Sequence, residues 1–207
     1  MPNINKYIPS GTEFREVDIN RSGQVDITIA ESGSYAATFL QTNAHLDIRI
    51  HLTGKGARCR VNAVYLSSAS SDNIIDCRVY HESPETFSNQ DVRGVVAQNG
   101  KATYNGLIRI EKDSQKCEGH QNHRAVILSV DGMASCTPEL EIFADDVQCT
   151  HGSAIGALDE KEMFYLQSRG IPESVAKQML IKGFLSDVLG GEFETELNEW
   201  MVQNAKE

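Results

Sequence analysis

The feature that most constrains the fold is a long succession of short segments in which apolar and polar residues alternate. The segments run from Glu13 to about Gln148 and include QVDITIA, SYAATFL, HLDIRIHL, RCRVNAVYL, NIIDCRVY, VRGVVAQ, ATYNGLIRI and RAVILSV. Alternation with a period of two predicts half-buried β-strands, and the Gly, Asn, Ser and Asp residues between the segments predict turns. Strands that recur roughly every 10 to 14 residues are typical of a sandwich, a barrel or a β-helix, and periodicity alone does not choose among the three.

The dipeptide Asn99-Gly100 leaves the same alternatives open. In a β-hairpin it is a favoured tight turn, because both residues tolerate positive φ. In a β-helix the same dipeptide serves as a corner.

The sequence changes character after Leu158. Asp159 is predicted to cap the start of a helix, with Glu162 three residues later completing a capping box and Gly170 ending the helix. The sequence therefore predicts a β core over residues 1–158 and a C-terminal helical domain over residues 159–207.

The remainder of the helical domain is predicted to contain two more amphipathic segments. Pro172 fits the first turn of the second, which stops at Gly190-Gly191. The predicted apolar stripes comprise Val175, Met179, Phe184 and Val188 in the second segment and Phe193, Leu197, Trp200 and Met201 in the third. Amphipathic helices bury such stripes, so these must pack against the β core or against a partner.

Charge and composition exclude several classes of protein. The formal net charge is -10, and the 19 Lys and Arg residues are scattered, so nucleic acid is a poor partner. The sequence contains neither a run of about 18 apolar residues nor a signal peptide, so we expect a cytoplasmic protein that is not embedded in a membrane. In a reducing compartment cysteines are expected to be free thiols or ligands rather than disulfides. There are five, namely Cys59, Cys77, Cys117, Cys136 and Cys149.

Two motifs carry weak chemical signals. Gly54-x-Gly56 follows a predicted strand but opens no helix, so it is interpreted as a turn, and no Walker-type motif for nucleotide hydrolysis is present. Cys117, His120 and His123 are residue types that bind metals, but no second ligand pair accompanies them. Their polar flanks predict a solvated loop, with a metal site as the alternative.

Cys149 and His151 form a more specific candidate site. Two residues apart on a strand, they point to the same face, and a thiolate beside an imidazole suits iron or an iron–sulfur cluster when further ligands come from elsewhere. Simple packing and a Cys-His nucleophile remain alternatives, although no third group that would orient the histidine is identifiable. An enzyme that uses the carboxylates Asp145 and Asp146 is disfavoured, because adjacent strand residues point to opposite faces.

The stretch from Pro138 to Leu189 resembles the SufB/SufD family of the iron–sulfur cluster assembly system. The resemblance is carried by PELEIFADDVQCTHG followed by LDEKEMFYLQSRGI. Weaker similarity lies in YHESPETFSNQDVRGVVAQNGKATYNGLIRI and in LTGKGARCRVNAVYL, so that the resemblance covers about residues 25–190. The form ADDVQCTHG is closer to SufD, since SufB has a glutamate where this chain has Gly152.

The resemblance implies a right-handed parallel β-helix with a C-terminal helical tail. Family members are non-enzymatic scaffold components, which implies a SufC-like ABC-type ATPase as the partner of the helices and a SufB-like subunit or a second copy as the partner of the β-helix. It also implies that Cys149 and His151 bind iron or an iron–sulfur cluster transiently. Because family members usually have an N-terminal helical region that this chain lacks, a short form of the family is expected, with a homodimer as the alternative to pairing with a SufB-like subunit. The alternative is an oligomeric β-helix binding module without a cluster.

Overall fold

The computed structural model describes residues 3–69 and 71–204, which form twelve strands followed by three helices. The strands are β1 (Ile4–Ile8), β2 (Glu13–Ile19), β3 (Gly23–Ile29), β4 (Ser34–Gln41), β5 (His45–Leu52), β6 (Arg58–Ser67), β7 (Asp72–His81), β8 (Phe87–Val96), β9 (Lys101–Ile110), β10 (Cys117–Ile127), β11 (Met133–Ile142) and β12 (Val147–Gly156). The helices are α1 (Glu160–Ser168), α2 (Glu173–Leu189) and α3 (Glu194–Asn204). None of the helices in these ranges is long and apolar enough to cross a membrane.

Successive strands alternate between two six-stranded sheets. The odd-numbered strands form sheet A in the order β1-β3-β5-β7-β9-β11, and the even-numbered strands form sheet B in the order β12-β10-β8-β6-β4-β2. All of the pairings are parallel. Each odd strand and the even strand after it therefore make one coil of a β-helix. The fold that the family resemblance implies is confirmed, and the sandwich and barrel alternatives are excluded.

The Asn99-Gly100 dipeptide lies at a corner of the β-helix and not in a hairpin. It connects β8 in sheet B with β9 in sheet A. Asn99 has a φ of 53°, and the Gly100 N–H donates to the Ala97 carbonyl at 3.0 Å. Gly54-x-Gly56 is likewise at a corner, between β5 and β6, as the interpretation as a turn predicts.

The main core fills the space between the two sheets. In β5, the inward residues Leu46, Ile48, Ile50 and Leu52 are fully buried, and they alternate with residues that contact solvent. Parallel pairing in register places like residues over one another in the column Ile27, Ile50, Val79, Ile108. Each such side chain stabilises the fold by about 1.5–3 kcal/mol on burial.

The C-terminal helices cover part of the outer face of sheet B. Leu40, Val64, Leu66 and Val95 point outward from the sheet and are buried in one cluster with residues of α2 and α3, namely Ile181, Leu185, Val188, Leu189, Leu197, Trp200 and Met201. The stripe predicted for the third segment is thereby confirmed, since Phe193 also packs against this cluster.

The stripe predicted for α2 is only partly correct. Val188 is buried and Phe184 is half-buried, but Val175 and Met179 are 44% and 47% exposed. The face of the helix that packs against the sheet includes Ile181, Leu185 and Leu189. Because α2 carries apolar residues on more than one face, the 3.6-residue period alone does not identify the face that is buried.

Arg93 of β8 attaches α2 to the sheet through three interactions. Its guanidinium donates to the Phe184 carbonyl, forms a salt bridge with Asp187 at 3.2 Å and lies 5.4 Å from the Phe184 ring centroid. Asn62 adds a hydrogen bond to the Val188 carbonyl at 3.0 Å. The helix is therefore held to β6 and β8 by polar contacts as well as by apolar packing.

The two ends of the β-helix differ in chemistry. At the β1–β2 end, the carboxylate of Glu16 is nearly buried and forms salt bridges with Lys6 and Arg21 at 2.5 and 2.7 Å. It also accepts a hydrogen bond from the Tyr35 hydroxyl at 3.0 Å. This charged network closes that end. At the β11–β12 end, the inward residues of the last coil are partly exposed.

Candidate functional site

Cys149 and His151 lie on β12 and face the inside of the β-helix at its open end. Their neighbours in register on β10 are Gly119 and Gln121, which are both buried inward residues. The same-face prediction for the pair is therefore confirmed. Within residues 3–69 and 71–204 no further coil covers β12, so Cys149 is half-buried and His151 is exposed, although both positions would belong to the core in any earlier coil.

Cys149 lies against the apolar part of the last coil. Like Leu140 of β11 and Val147, it packs against the buried cluster that contains Ile108 and Cys117. Burial raises the pKa of its thiol, and the Gly119 backbone N–H opposes this effect by hydrogen bonding to the sulfur. The thiol is accordingly protonated at neutral pH until a metal or another strong electrophile displaces the proton.

A second thiol, Cys136, faces the same open space from β11. Burial raises the pKa of its thiol, and a hydrogen bond from the Ser153 hydroxyl opposes this effect. The same hydroxyl lies 3.2 Å from Nδ1 of His123, and Nε2 of His123 lies 2.9 Å from the Tyr65 hydroxyl. A continuous hydrogen-bonded chain thus runs from the fully buried Tyr65 to the half-exposed Cys136.

His123 is fixed and neutral within this chain. It is fully buried and stacks between the rings of Tyr65 and Tyr104, with centroid distances of 5.9 and 5.3 Å. Burial lowers its pKa to about 4. A neutral imidazole that accepts from Tyr65 at Nε2 donates from Nδ1 to Ser153, which leaves the Ser153 proton for Cys136.

Two glycines make room for the polar interior beneath the open end. A Cβ on Gly94 would lie 1.9 Å from the Tyr65 ring, and a Cβ on Gly106 would lie 1.7 Å from the Gln121 amide nitrogen. Gly94 pairs directly with Tyr65, so the tyrosine ring occupies the space that a side chain would take.

The sequence-based prediction of a solvated loop around Cys117, His120 and His123 is wrong. All three residues lie on β10. Cys117 and His123 point inward and are buried, whereas His120 points outward and contacts Thr150 at 2.9 Å. Spacings of three residues on a strand place neighbours on opposite faces, so the three side chains do not converge on one metal.

No group of three or more His, Cys, Asp or Glu residues that could hold a metal exists within the part of the chain that the structure describes. The Cys149–His151 pair therefore provides two potential ligands on one face and needs others from outside the chain. Asp145 and Asp146 are exposed at the corner between β11 and β12.

β12 is an edge strand of sheet B, and its sequence lacks the residues that usually prevent an edge strand from pairing with another chain. The sequence of β12, VQCTHGSAIG, contains no Lys, Arg, Asp, Glu or Pro, which are the residues that usually prevent an edge strand from pairing. Apolar side chains are also exposed around this end, namely Val130, Met133, Phe143 and Ile155.

A second exposed apolar surface lies on the helices. Phe164, Tyr165, Val175 and Met179 of α1 and α2 are between 44% and 72% exposed. Beside them, a groove of about 680 Å³ separates the helices from sheet B. Its lining includes Arg93, Arg124, Lys161, Tyr165, Met179 and Phe184.

The family model and the individual relatives that match this chain indicate the same family. The family model described as "SUF system FeS cluster assembly, SufBD core domain" matches residues 16–184. The chain is 31% identical to the iron–sulfur cluster assembly protein SufD of Escherichia coli (strain K12) over 168 residues, which are 79% of this chain and 39% of SufD.

Two further relatives extend this comparison. The chain is 26% identical to the chloroplastic protein ABCI7 of Arabidopsis thaliana over 84% of this chain and 41% of that protein. It is 26% identical to the iron–sulfur cluster assembly protein SufB of Bacillus subtilis (strain 168) over 71% of this chain and 32% of SufB. The chain thus spans less than half the length of these relatives.

Proposed function

Because the chain belongs to the SufB/SufD family of iron–sulfur cluster assembly proteins, we propose that it is a non-enzymatic scaffold or accessory subunit of SUF-type assembly. Cys149 and His151 bind iron or a nascent cluster in transit, at a junction with a second β-helix subunit. The C-terminal helices engage an ABC-type ATPase of the SufC kind. The observation that supports this function most strongly is the position of a thiol and an imidazole on the open inner edge of the last coil.

The ligand chemistry of the pair suits iron. Thiolates bind iron–sulfur clusters, and imidazole replaces thiolate in some of them. The chain supplies one ligand of each kind on one face, so a bound iron keeps coordination positions that a second subunit, inorganic sulfide or an acceptor protein fills. Such incomplete coordination is appropriate for a cargo that must be released.

The β11–β12 end is the surface that joins the second subunit. It has an uncharged edge strand and exposed apolar residues, whereas a charged network closes the opposite end. Parallel sheets with free edges extend by adding strands. The added strand comes from a second copy of this chain or from a SufB-like subunit.

The exposed apolar residues of α1 and α2 form the contact for the ATPase. Because Arg93 attaches α2 to β8, a displacement of the helix is transmitted to the sheet. In sheet B, β8 pairs with β10, and β10 pairs with β12. Closure of the ATPase therefore acts on the strand that carries Cys149 and His151.

Anaerobic reconstitution with iron and sulfide tests the ligand assignment. The wild type is expected to develop the visible absorption of bound iron, and Cys149→Ala and His151→Ala are expected to reduce it. His45→Ala is the matched control, because His45 is an exposed histidine on the outer face of sheet A. Equal absorption in the wild type and in both site variants would refute ligation at this pair.

Co-purification with a SufC-type ATPase tests the helical contact. The double variant Phe164→Ser/Met179→Ser is expected to lose the ATPase, because it removes two exposed apolar side chains without touching the packed face of α2. Val202→Ser is the control, since Val202 is 51% exposed on α3. If the double variant retains the ATPase as well as the control does, the helices contact it elsewhere or not at all.

One observation favours a second candidate, an oligomeric β-helix module without a cluster. The described residues of one chain do not complete a metal site. In that case the β11–β12 end would still join subunits, but the assembled protein would bind no iron. The same reconstitution, performed on the isolated oligomer, separates the two functions.

A further inference from the structure

The C-terminal helices cover only one half of the outer face of sheet B. They pack on outward residues near the carboxyl ends of the strands, namely Leu40, Val64, Leu66 and Val95. Near the amino ends of the same strands the outward side chains of Arg58 and Arg60 are exposed. This uncovered half is separate from the exposed residues of α1 and α2 that we assign to the ATPase.

The uncovered half carries two arginines that have no carboxylate partner. Most arginines of the β-helix form salt bridges, namely Arg15, Arg21, Arg49, Arg78, Arg93 and Arg109. Within the described ranges of the β-helix the exceptions are Arg58, Arg60 and Arg124, and Arg124 lines the groove beside the helices. The whole chain has a formal net charge of -10, so Arg58 and Arg60 form a local positive surface on an acidic protein.

Phe87 holds the two guanidinium groups in place. It is the neighbour of Arg58 in register on β8. The guanidinium carbons of Arg58 and Arg60 lie 5.6 and 5.0 Å from the centroid of its ring. Contacts of this kind orient an arginine without neutralising its charge, so both groups keep N–H donors for a ligand.

A row of polar side chains crosses the sheet beside Arg60. The register places Asn89 of β8, His120 of β10 and Thr150 of β12 next to it, in that order. Nδ1 of His120 lies 2.9 Å from the Thr150 hydroxyl oxygen, so Nε2 is the ring nitrogen that remains for a ligand. None of these four side chains is a carboxylate, so the row does not repel an anion.

We propose that an extended acidic segment of a partner protein docks on this surface, called the arginine surface, which comprises Arg58, Arg60, Phe87, Asn89 and His120. Residues at i and i+2 of a strand lie on one face roughly 6.6 Å apart, so Arg58 and Arg60 present two guanidinium groups at that spacing. Alternate residues of an extended acidic segment present carboxylates at the same spacing. Each carboxylate then accepts two parallel N–H bonds from one guanidinium group.

The arginine surface favours a peptide over a nucleic acid. Single-stranded nucleic acids bind where bases stack on open aromatic faces, but two guanidinium groups already contact the ring of Phe87. Glu118 lies beside Phe87 on β10 and would repel a phosphate backbone that crosses the strands. An extended peptide that runs along β6 avoids this carboxylate.

Fluorescence anisotropy with labelled synthetic peptides tests the proposal. The probe is a peptide in which glutamate and serine alternate, and the comparison peptide has the same length and composition in the repeating order Glu-Glu-Ser-Ser. The alternating peptide is expected to bind the wild type more tightly, because only its carboxylates match the spacing of the two arginines. The variant Arg58→Gln/Arg60→Gln is expected to weaken its binding by about tenfold.

Two further variants separate specific docking from general attraction of charge. Lys101→Gln/Arg169→Gln removes the same charge at the start of β9 and after α1, and is expected to bind as the wild type does. Arg58→Lys/Arg60→Lys keeps the charge but not the paired donors of the guanidinium group, and is expected to have an intermediate affinity. Urea denaturation verifies that each variant is folded.

Several results would overturn the proposal. Absence of binding, equal binding of the two peptides, or an equal loss of affinity in Lys101→Gln/Arg169→Gln shows that the arginine surface does not recognise an extended acidic segment. A single-stranded oligonucleotide that binds more tightly than the alternating peptide, and is released by Arg58→Gln/Arg60→Gln, assigns the surface to nucleic acid instead. None of these results affects iron binding at Cys149 and His151 or co-purification with the ATPase, so the proposed function stands or falls separately.

Discussion

Two histidines buried inside the β-helix make its stability depend on pH in a specific range. His81 and His123 are both fully buried. His81 is held by the hydroxyls of Thr86 and Ser88 at 2.7 and 2.8 Å. Burial lowers the pKa of each histidine to about 4. In the unfolded chain a histidine has a pKa of about 6.5.

The sign of the effect follows from these values. As the pH falls below about 6.5, the unfolded state takes up protons that the folded state does not accept until about pH 4, so stability is lost across this window. Between pH 7 and pH 5 the loss is about 2 kcal/mol for each histidine, or about 4 kcal/mol for both. Above pH 7 the contribution is fully retained.

Urea denaturation at pH 7, 6 and 5 measures this loss. The wild type is expected to lose about 4 kcal/mol of unfolding free energy over the range, and the double variant His81→Gln/His123→Gln is expected to keep most of it. The variant is less stable at pH 7, because it changes two buried hydrogen-bond networks, so the informative quantity is the slope with pH. His45→Gln changes an exposed histidine and is expected to preserve the wild-type loss. If the double variant loses as much stability as the wild type between pH 7 and pH 5, the buried histidines are not the cause of the loss.

Three further perturbations examine the packing and the open end. Gly94→Ala is expected to destabilise the protein by about 1–3 kcal/mol in urea denaturation, because the new Cβ would meet the Tyr65 ring at 1.9 Å. Gly156→Ala is the control, since nothing lies within 4 Å of a Cβ at that position. Equal stability of the two variants would contradict the close packing of Tyr65 against Gly94. Gly152→Lys places a charge on β12 and is expected to convert the dimer to a monomer in analytical ultracentrifugation. Val202→Lys on α3 is the control and should leave the dimer unchanged. A dimer that survives Gly152→Lys is joined through another surface. Arg93→Ala is expected to increase amide hydrogen exchange in α2 before any change in β5, since it removes the contacts to Phe184 and Asp187, and unaltered exchange in α2 argues against Arg93 as the attachment.

The strands were predictable from the sequence, but their arrangement was not. Alternation in segments such as HLDIRIHL depends only on which face of a strand is buried, and β5 has that pattern. A sandwich, a barrel and a β-helix all bury one face of a strand, so the choice came from the family resemblance. The corner at Asn99-Gly100 illustrates the same limit, because positive φ is needed in a hairpin and in a corner alike.

The candidate site was predictable only in part, because its members are brought together by the coil repeat. Cys149 and His151 share a face by local geometry, which the sequence shows directly. Cys136, Ser153 and His123 come from three different strands, separated by 13 to 30 residues. One sequence signal could have linked His123 and Ser153, namely their spacing of 30 residues, which equals the offset between paired residues of β10 and β12. This spacing indicates proximity only once the β-helix is known.

The polar residues around Cys117 and His123 led to the wrong prediction of a loop, because the position of β10 in the β-helix was not known from the sequence. Outward residues of β10 are polar because they contact solvent, and they suggested a loop. Inward glutamine and histidine were unexpected in a core. They are accommodated because Gly94 and Gly106 leave space for Tyr65 and Gln121.

The central claim, that iron is held at the junction of two β-helix ends by Cys149 and His151, is tested most directly by anaerobic native mass spectrometry after reconstitution with iron and sulfide. Iron is expected in the paired species and not in the free chain. The double variant Cys149→Ala/His151→Ala is expected to pair still but to have lost the iron. Iron bound equally by the variant pair, or by the unpaired wild-type chain, would contradict the account.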